Sequence, residues 1–202
     1  MTLREIKQTS PERFTLIFSD GRELKTSLGV ITERFIHSGM ELGEDEYNEL
    51  VSASGLAMAK ARALRIVNAR PVSREELRKK LVEKGETPEN AEECADWLCR
   101  MGLIDDAQYA GSVVRHYAAK GYGASRIRQE LRRHGVPREL WDEAMTQMPE
   151  QDAYLERFIR SRLSDPGDRA QVKKVSDALF RRGYSWDQIK HALNEFDTQG
   201  DH

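Results

Sequence analysis

The chain has 202 residues, 39% hydrophobic and 33% charged, with 32 lysines and arginines against 34 aspartates and glutamates for a formal net charge of -2. That length suits one large domain or several small units, and the near-neutral balance excludes any argument for nucleic acid or a membrane from net charge alone. No apolar run approaches the roughly 18 residues of a membrane span, and Met1-Thr2-Leu3-Arg4-Glu5 lacks a signal peptide's apolar stretch, so a cytoplasmic chain is expected.

Residues 12–26 set Phe14, Leu16 and Phe18 in alternation with Thr15 and Ile17, then turn at Ser19-Asp20-Gly21. Period-two patterning around Asp-Gly predicts a hairpin with a type I′ turn, because that pair tolerates positive φ. Residues 2–8 can add a third strand, although Leu3 and Ile6 do not alternate cleanly. A lone hairpin is marginal in water. Leu28, Ile31 and Phe35, at helical intervals, predict a short amphipathic helix to pack on it. Gly39 and Gly43 punctuate a connector, and residues 44–69 read as one long helix.

From about residue 57 the chain repeats itself. Leu77, Leu81 and Gly85 superimpose on Ile127, Leu131 and Gly135 and on Val175, Leu179 and Gly183. After each glycine an apolar stripe resumes at the same offsets: Ala91, Cys94, Ala95, Leu98; then Trp141, Ala144, Met145, Met148; then Ile189, Ala192, Leu193, Phe196. These are i, i+3, i+4, i+7 helical faces. A third helix precedes each pair, marked by Leu64 and Val67, by Ala110, Val113, Val114 and Tyr117, and by Leu155, Phe158 and Ile159. The expected fold is mostly α: tandem three-helix repeats over 57–103, 104–149 and 150–202 in an elongated curved array, behind a small β-hairpin and helix region over 1–56.

The punctuation agrees. Ser73 with Glu76, Asp105 with Gln108, and Ser185 with Gln188 fit capping boxes, and Thr87-Pro88 reads as a helix start. Pro137 occupies the slot held by Thr87 and Ser185, so that helix starts differently. Lys84, His134 and Arg182 each precede a repeat glycine, where a basic side chain suits a helix C-terminus; capping is the whole role assigned to them. Cys94 and Cys99 are expected as reduced thiols, with Cys94 in the core.

The five histidines, His37, His116, His134, His191 and His202, lack ligand spacing, and no Walker loop, dinucleotide fingerprint or nucleophile elbow occurs. Neither catalysis nor a metal or cofactor is expected. Lys120-Gly121-Tyr122-Gly123 is too short for a phosphate loop and reads as a turn; Glu92 with Asp96 reads as a solvated face. What rises above background is the run from Lys120 to Arg133, with Lys120, Arg126, Arg128, Arg132 and Arg133 around a single acid, Glu130. Arg126 lies one turn before Glu130 and can pair with it, whereas Arg128 and Arg132 share a face with no carboxylate between them. Arg115 stands nearby, and the third repeat adds Lys173, Lys174 and Arg181, with Asp177 placed to compensate them in part. An ordinary solvated helix face fits the pattern; so does a surface for phosphates or an acidic partner, made of Arg115, Lys120, Arg126, Arg128, Arg132, Arg133, Lys173 and Lys174.

The stretch Met101-Gly102-Leu103-Ile104-Asp105-Asp106-Ala107-Gln108-Tyr109-Ala110, followed by Arg126-Ile127-Arg128-Gln129-Glu130-Leu131 and later Leu179-Phe180-Arg181-Arg182-Gly183-Tyr184, resembles the RecX family of bacterial regulators of the recombinase RecA. The likeness runs over roughly residues 57–196. It implies a protein that binds the RecA–DNA filament in its groove and restrains filament growth, ATP turnover and strand exchange in recombination and DNA repair, touching single- or double-stranded DNA within the filament. The small number of exposed aromatic residues expected makes a monomer the default. The rival is a self-sufficient helical DNA-binding protein acting without RecA. Against it stands the near-neutral balance of basic and acidic residues in the successive repeats, +2, +1 and -1. A third reading is a general interaction scaffold.

Overall fold

The computed structural model describes residues 1–199; His202 and the end of the third repeat lie outside the described residues. Two compact units meet in sequence at Ile104 and Asp105.

The first unit opens with three antiparallel strands in the order β1-β2-β3: β1 (Leu3–Ser10), β2 (Arg13–Phe18) and β3 (Glu23–Ser27). Leu3, Leu16 and Phe18 alternate onto one buried face, as period-two patterning requires. The Asp20-Gly21 turn differs from the type I′ expectation. Gly21 alone takes positive φ (87°), its amide bonding to the Phe18 carbonyl and the Phe18 amide to the Arg22 carbonyl, which makes a three-residue loop with glycine at the left-handed position.

The helix after the sheet, α1 (Leu28–Glu33), is also rotated from expectation. Val30 and Ile36 enter the core, while Leu28 is 45% and Phe35 83% exposed. The reason is length. The helix ends at Glu33, and Phe35 lies past its C-cap in left-handed backbone (φ 51°), so the 3.6-residue phase does not carry through to it.

α2 (Glu44–Ala69) covers the span read from sequence. Its N-terminal half closes the sheet core through Leu50 and through a buried Ser54-to-Thr26 hydroxyl bond of 2.8 Å. Its C-terminal half supplies Ala59 and Ala63 to a second core with α3 (Arg74–Glu83) and α4 (Pro88–Arg100). Leu64 and Val67, the expected markers of this helix, are only partly buried and pack against this core from its edge. Ala91, Cys94, Ala95 and Leu98 are fully buried, and burial pushes the unbridged Cys94 thiol up to about 11. Glu92 and Asp96 are half-exposed, as a solvated face would be, and both also bind the Arg74 guanidinium, Asp96 at 2.7 Å, tying α4 to α3.

The second unit holds α5 (Asp106–Ala119), α6 (Ala124–Arg133), a 3-10 turn (Arg138–Leu140), α7 (Trp141–Met145), α8 (Asp152–Arg160), α9 (Arg169–Arg181) and α10 (Trp186–Gln199). The Ser73, Thr87, Asp105 and Ser185 side chains each accept the backbone amide three residues on. Pro137 offers no such oxygen, and the helix behind it starts as a 3-10 turn and lasts five residues, leaving Met148 beyond its end. The fold is therefore mostly helical, three-helix domains in tandem after a small sheet.

Candidate functional site

α6 is held from two sides. Ile127 and Leu131 are fully buried under Val113, Val114 and Ala144, each worth about 1.5–3 kcal/mol of burial. Its N-terminus carries no side-chain cap, since Gly123 occupies that place. The next repeat supplies the acceptors: the Gly123 amide donates to the Arg182 carbonyl at 2.9 Å and the Ser125 amide to the Gly183 carbonyl at 3.1 Å. Orphan amides at the start of α6 thus meet orphan carbonyls at the end of α9, satisfying both termini at once. The approach admits no side chain. A Cβ on Gly123 would lie 2.4 Å from the Gly183 oxygen, and one on Gly183 2.4 Å from the Arg126 nitrogen.

Arg182 completes this joint. Its guanidinium donates to the Lys120 carbonyl at 3.3 Å and lies 5.2 to 5.9 Å from the ring centroids of Phe158, Tyr122 and Tyr154. Capping alone was expected of Arg182. It does cap α9, but its side chain also binds one repeat to the next. His134 likewise caps α6 and in addition places Nδ1 3.1 Å from the Tyr109 hydroxyl.

On the exposed side of α6 the cations sort into two groups. Arg126 reaches Glu130 at 2.9 Å and Arg133 reaches it at 2.7 Å, while Arg133 also donates to the Tyr117 hydroxyl at 3.0 Å. The Glu130 side chain is only 4% exposed. Burial by itself raises its pKa; hydrogen bonds from Arg133 and Tyr117 and the charge of Arg126 outweigh that, and the carboxyl sits below its ordinary range. Arg126 and Arg133 are therefore committed to an internal ion cluster.

Arg128 and Arg132 are not. Both are exposed and neither makes an ion pair or hydrogen bond among the described residues; Arg132 only overlies the Trp141 ring at 6.0 Å. Lys120, the C-cap of α5, rests its ammonium 5.5 Å over Tyr117. Arg115 bonds to Gln147. Lys173 and Lys174 are exposed on α9 and pair with no carboxylate among the described residues, Asp177 included. Of the eight candidate residues, then, Lys120, Arg128, Arg132, Lys173 and Lys174 make no ion pair or side-chain hydrogen bond among the described residues. Tyr117 and Trp141, which shape the α6 surface, were missed as anything but core. Their helical spacing marks them as apolar, and nothing local reveals the polar edge.

Among the described residues no group of three potential ligands could hold a metal ion, and no helix is long and apolar enough to cross a membrane. Structurally this is a protein of tandem three-helix domains that carries exposed arginines on α6 and exposed lysines on α9. Residues 59–98 match the description "RecX, first three-helix domain" and residues 105–145 match "RecX, second three-helix domain". A "Regulatory protein RecX" of Xanthomonas oryzae pv. oryzae is 37% identical over 143 residues, 68% of this chain and 86% of its own. That of Trichlorobacter lovleyi is 35% identical over 141 residues, 66% of this chain and 92% of its own. A crystal structure of a regulatory protein RecX superposes with a TM-score of 0.73 at 25% identity, covering 96% of this chain and 98% of that one. RecX from Lactobacillus salivarius shares the fold, with a TM-score of 0.62 at 22% identity over 72% of this chain and 99% of that one. The chain belongs to the RecX family of regulatory proteins.

Proposed function

We propose that this chain regulates RecA by binding the RecA–DNA filament and restraining its growth, ATP turnover and strand exchange. Membership of the family carries the reading, and the outward face of α6 supplies a means. Arg128 and Arg132 are two guanidinium groups with no internal carboxylate, suited to phosphate or to an acidic protein surface. Lys173 and Lys174 on α9, joined to α6 through the Gly123–Gly183 contact, extend the same chemistry. Arg115, Arg126 and Arg133 contribute less directly, since each is bonded to an internal partner, while Lys120, like Arg132, only overlies a ring.

The test is RecA ATPase and strand exchange with substoichiometric wild-type protein and with Arg128→Glu/Arg132→Glu. Inhibition by the wild type and its weakening in a variant with unchanged circular dichroism are expected. Equal inhibition by the folded variant refutes the role given to this face, and no effect of the wild type refutes the reading as a whole. The uncommitted arginine pair also fits a DNA-binding protein that acts alone. Tight, salt-dependent, sequence-selective binding to naked duplex without RecA identifies that case.

A further inference from the structure

The first unit carries a cluster of cations that the repeat pattern does not explain. Along the last turns of α2 and the facing side of α3 runs a cleft of about 370 Å³, lined by Arg62, Arg65, Arg70, Lys80 and Lys84 with Ile66 and Ala69 between them. Five cations face two carboxylates. Glu76 binds Arg70 and Lys80, and Glu86 lies against Arg62. Both acids sit beneath the bases, their side chains 17% and 11% exposed, so the charge met from solvent is positive. Arg65 donates only to the Ala61 carbonyl of its own helix, and neither it nor Lys84 has an ion pair among the described residues.

The helix ends explain part of this. Arg62 donates to the Lys84 carbonyl at 3.2 Å, a cation serving the C-terminus of α3. They do not explain the rest. Arg62 Nε is paired with the largely buried Glu86 carboxylate, 2.7 Å from Oε1, whereas Arg65 and Lys84 make no ion pair among the described residues. A cluster of like charges in one concavity costs stability. That penalty falls when an anion enters.

We infer that the α2–α3 cleft is an anion site for phosphate groups. Its volume admits a small oligophosphate, and guanidinium groups match phosphate oxygens two at a time. The ligand chemistry is common to a nucleic-acid backbone and to a free oligophosphate. The site shares no residue with the α6 face and does not depend on any action upon RecA.

Arg65 and Lys84 are the residues to reverse, because no carboxylate loses a partner with them. The full chain is titrated with inorganic triphosphate by calorimetry and with a labelled single-stranded oligothymidylate by anisotropy. Wild type, Arg65→Glu/Lys84→Glu and Arg128→Glu/Arg132→Glu are compared, each checked by circular dichroism. Triphosphate affinity falls about tenfold or more in the first variant and stays at the wild-type level in the second. If oligonucleotide affinity falls with it, the backbone phosphates are a ligand; if only triphosphate affinity falls, the ligand is a free oligophosphate. The inference is overturned if wild type does not bind triphosphate, or if Arg65→Glu/Lys84→Glu binds it as wild type does. It is likewise overturned if Arg128→Glu/Arg132→Glu loses as much affinity. Loss of RecA inhibition in that last variant, with triphosphate binding kept, separates the two sites.

Discussion

Gly123→Ala probes how α6 is fixed. Gly123 has φ -80° and ψ 171°, open to any residue, and reduced freedom of the unfolded chain would by itself favour alanine by about 0.5 kcal/mol. Against this, the new Cβ would stand 2.4 Å from the Gly183 oxygen, 2.5 Å from its carbon and 2.6 Å from the Tyr184 nitrogen, all main-chain atoms that cannot swing aside. Relief means parting α6 from α9 and stretching the bonds of 2.9 and 3.1 Å that join them. Two hydrogen bonds at about 1 kcal/mol each and a similar penalty for misfit packing give a net loss of about 2–3 kcal/mol. Gly43→Ala is the control: Gly43 also caps a helix in extended backbone (φ -71°, ψ 172°), but its Cβ would meet only the Glu46 carboxylate, at 3.6 Å. That variant stays within about 0.5 kcal/mol of wild type. Urea unfolding followed by circular dichroism gives the difference, and hydrogen exchange at the Gly123 and Ser125 amides locates it. If Gly123→Ala is no less stable than Gly43→Ala and those amides keep their protection, the close contact is not what holds α6.

Glu130 and Phe35 carry further expectations. Because the folded Glu130 carboxyl titrates below its unfolded value of 4.5, its stabilisation is complete above that value and is lost as pH falls through the folded pKa. Glu130→Gln should therefore be less stable at neutral pH and lose less on acidification than wild type; parallel acid-unfolding curves for the two proteins contradict the assignment. Phe35→Gly places glycine where the backbone is left-handed and removes a mostly exposed ring, so stability rises by up to about 1 kcal/mol. A lower thermal midpoint would show that the ring makes a contact worth more than the strain.

The repeat was legible because its signals are local. Gly85, Gly135 and Gly183 take positive φ of 89°, 68° and 91°, each one residue past a helix cap, and the stripes beside them face inward at 3.6-residue spacing. The pairing of Arg126 with Glu130 was readable for the same reason, being one helical turn. What could not be read depends on residues far apart in the chain. Gly123 and Gly183 touch across sixty positions, and nothing near Arg182 announces the rings of Tyr122, Tyr154 and Phe158. The cleft escaped for a related reason: Arg62, Arg65 and Arg70 lie on one helix, Lys80 and Lys84 on another, and the acids counted against them lie underneath. At Phe35 the periodicity misled, since the helix ends before the pattern does.

The joint between α6 and α9 bears on modularity. Tandem sequence units invite the picture of interchangeable beads, added or dropped without disturbing their neighbours. Here the second bead borrows the end of the third to finish its own helix. A chain shortened at residue 150 would not simply be one bead smaller. It would leave the first amides of α6 uncapped, fraying the very helix that displays Arg128 and Arg132, so that deleting the third repeat would blunt the second.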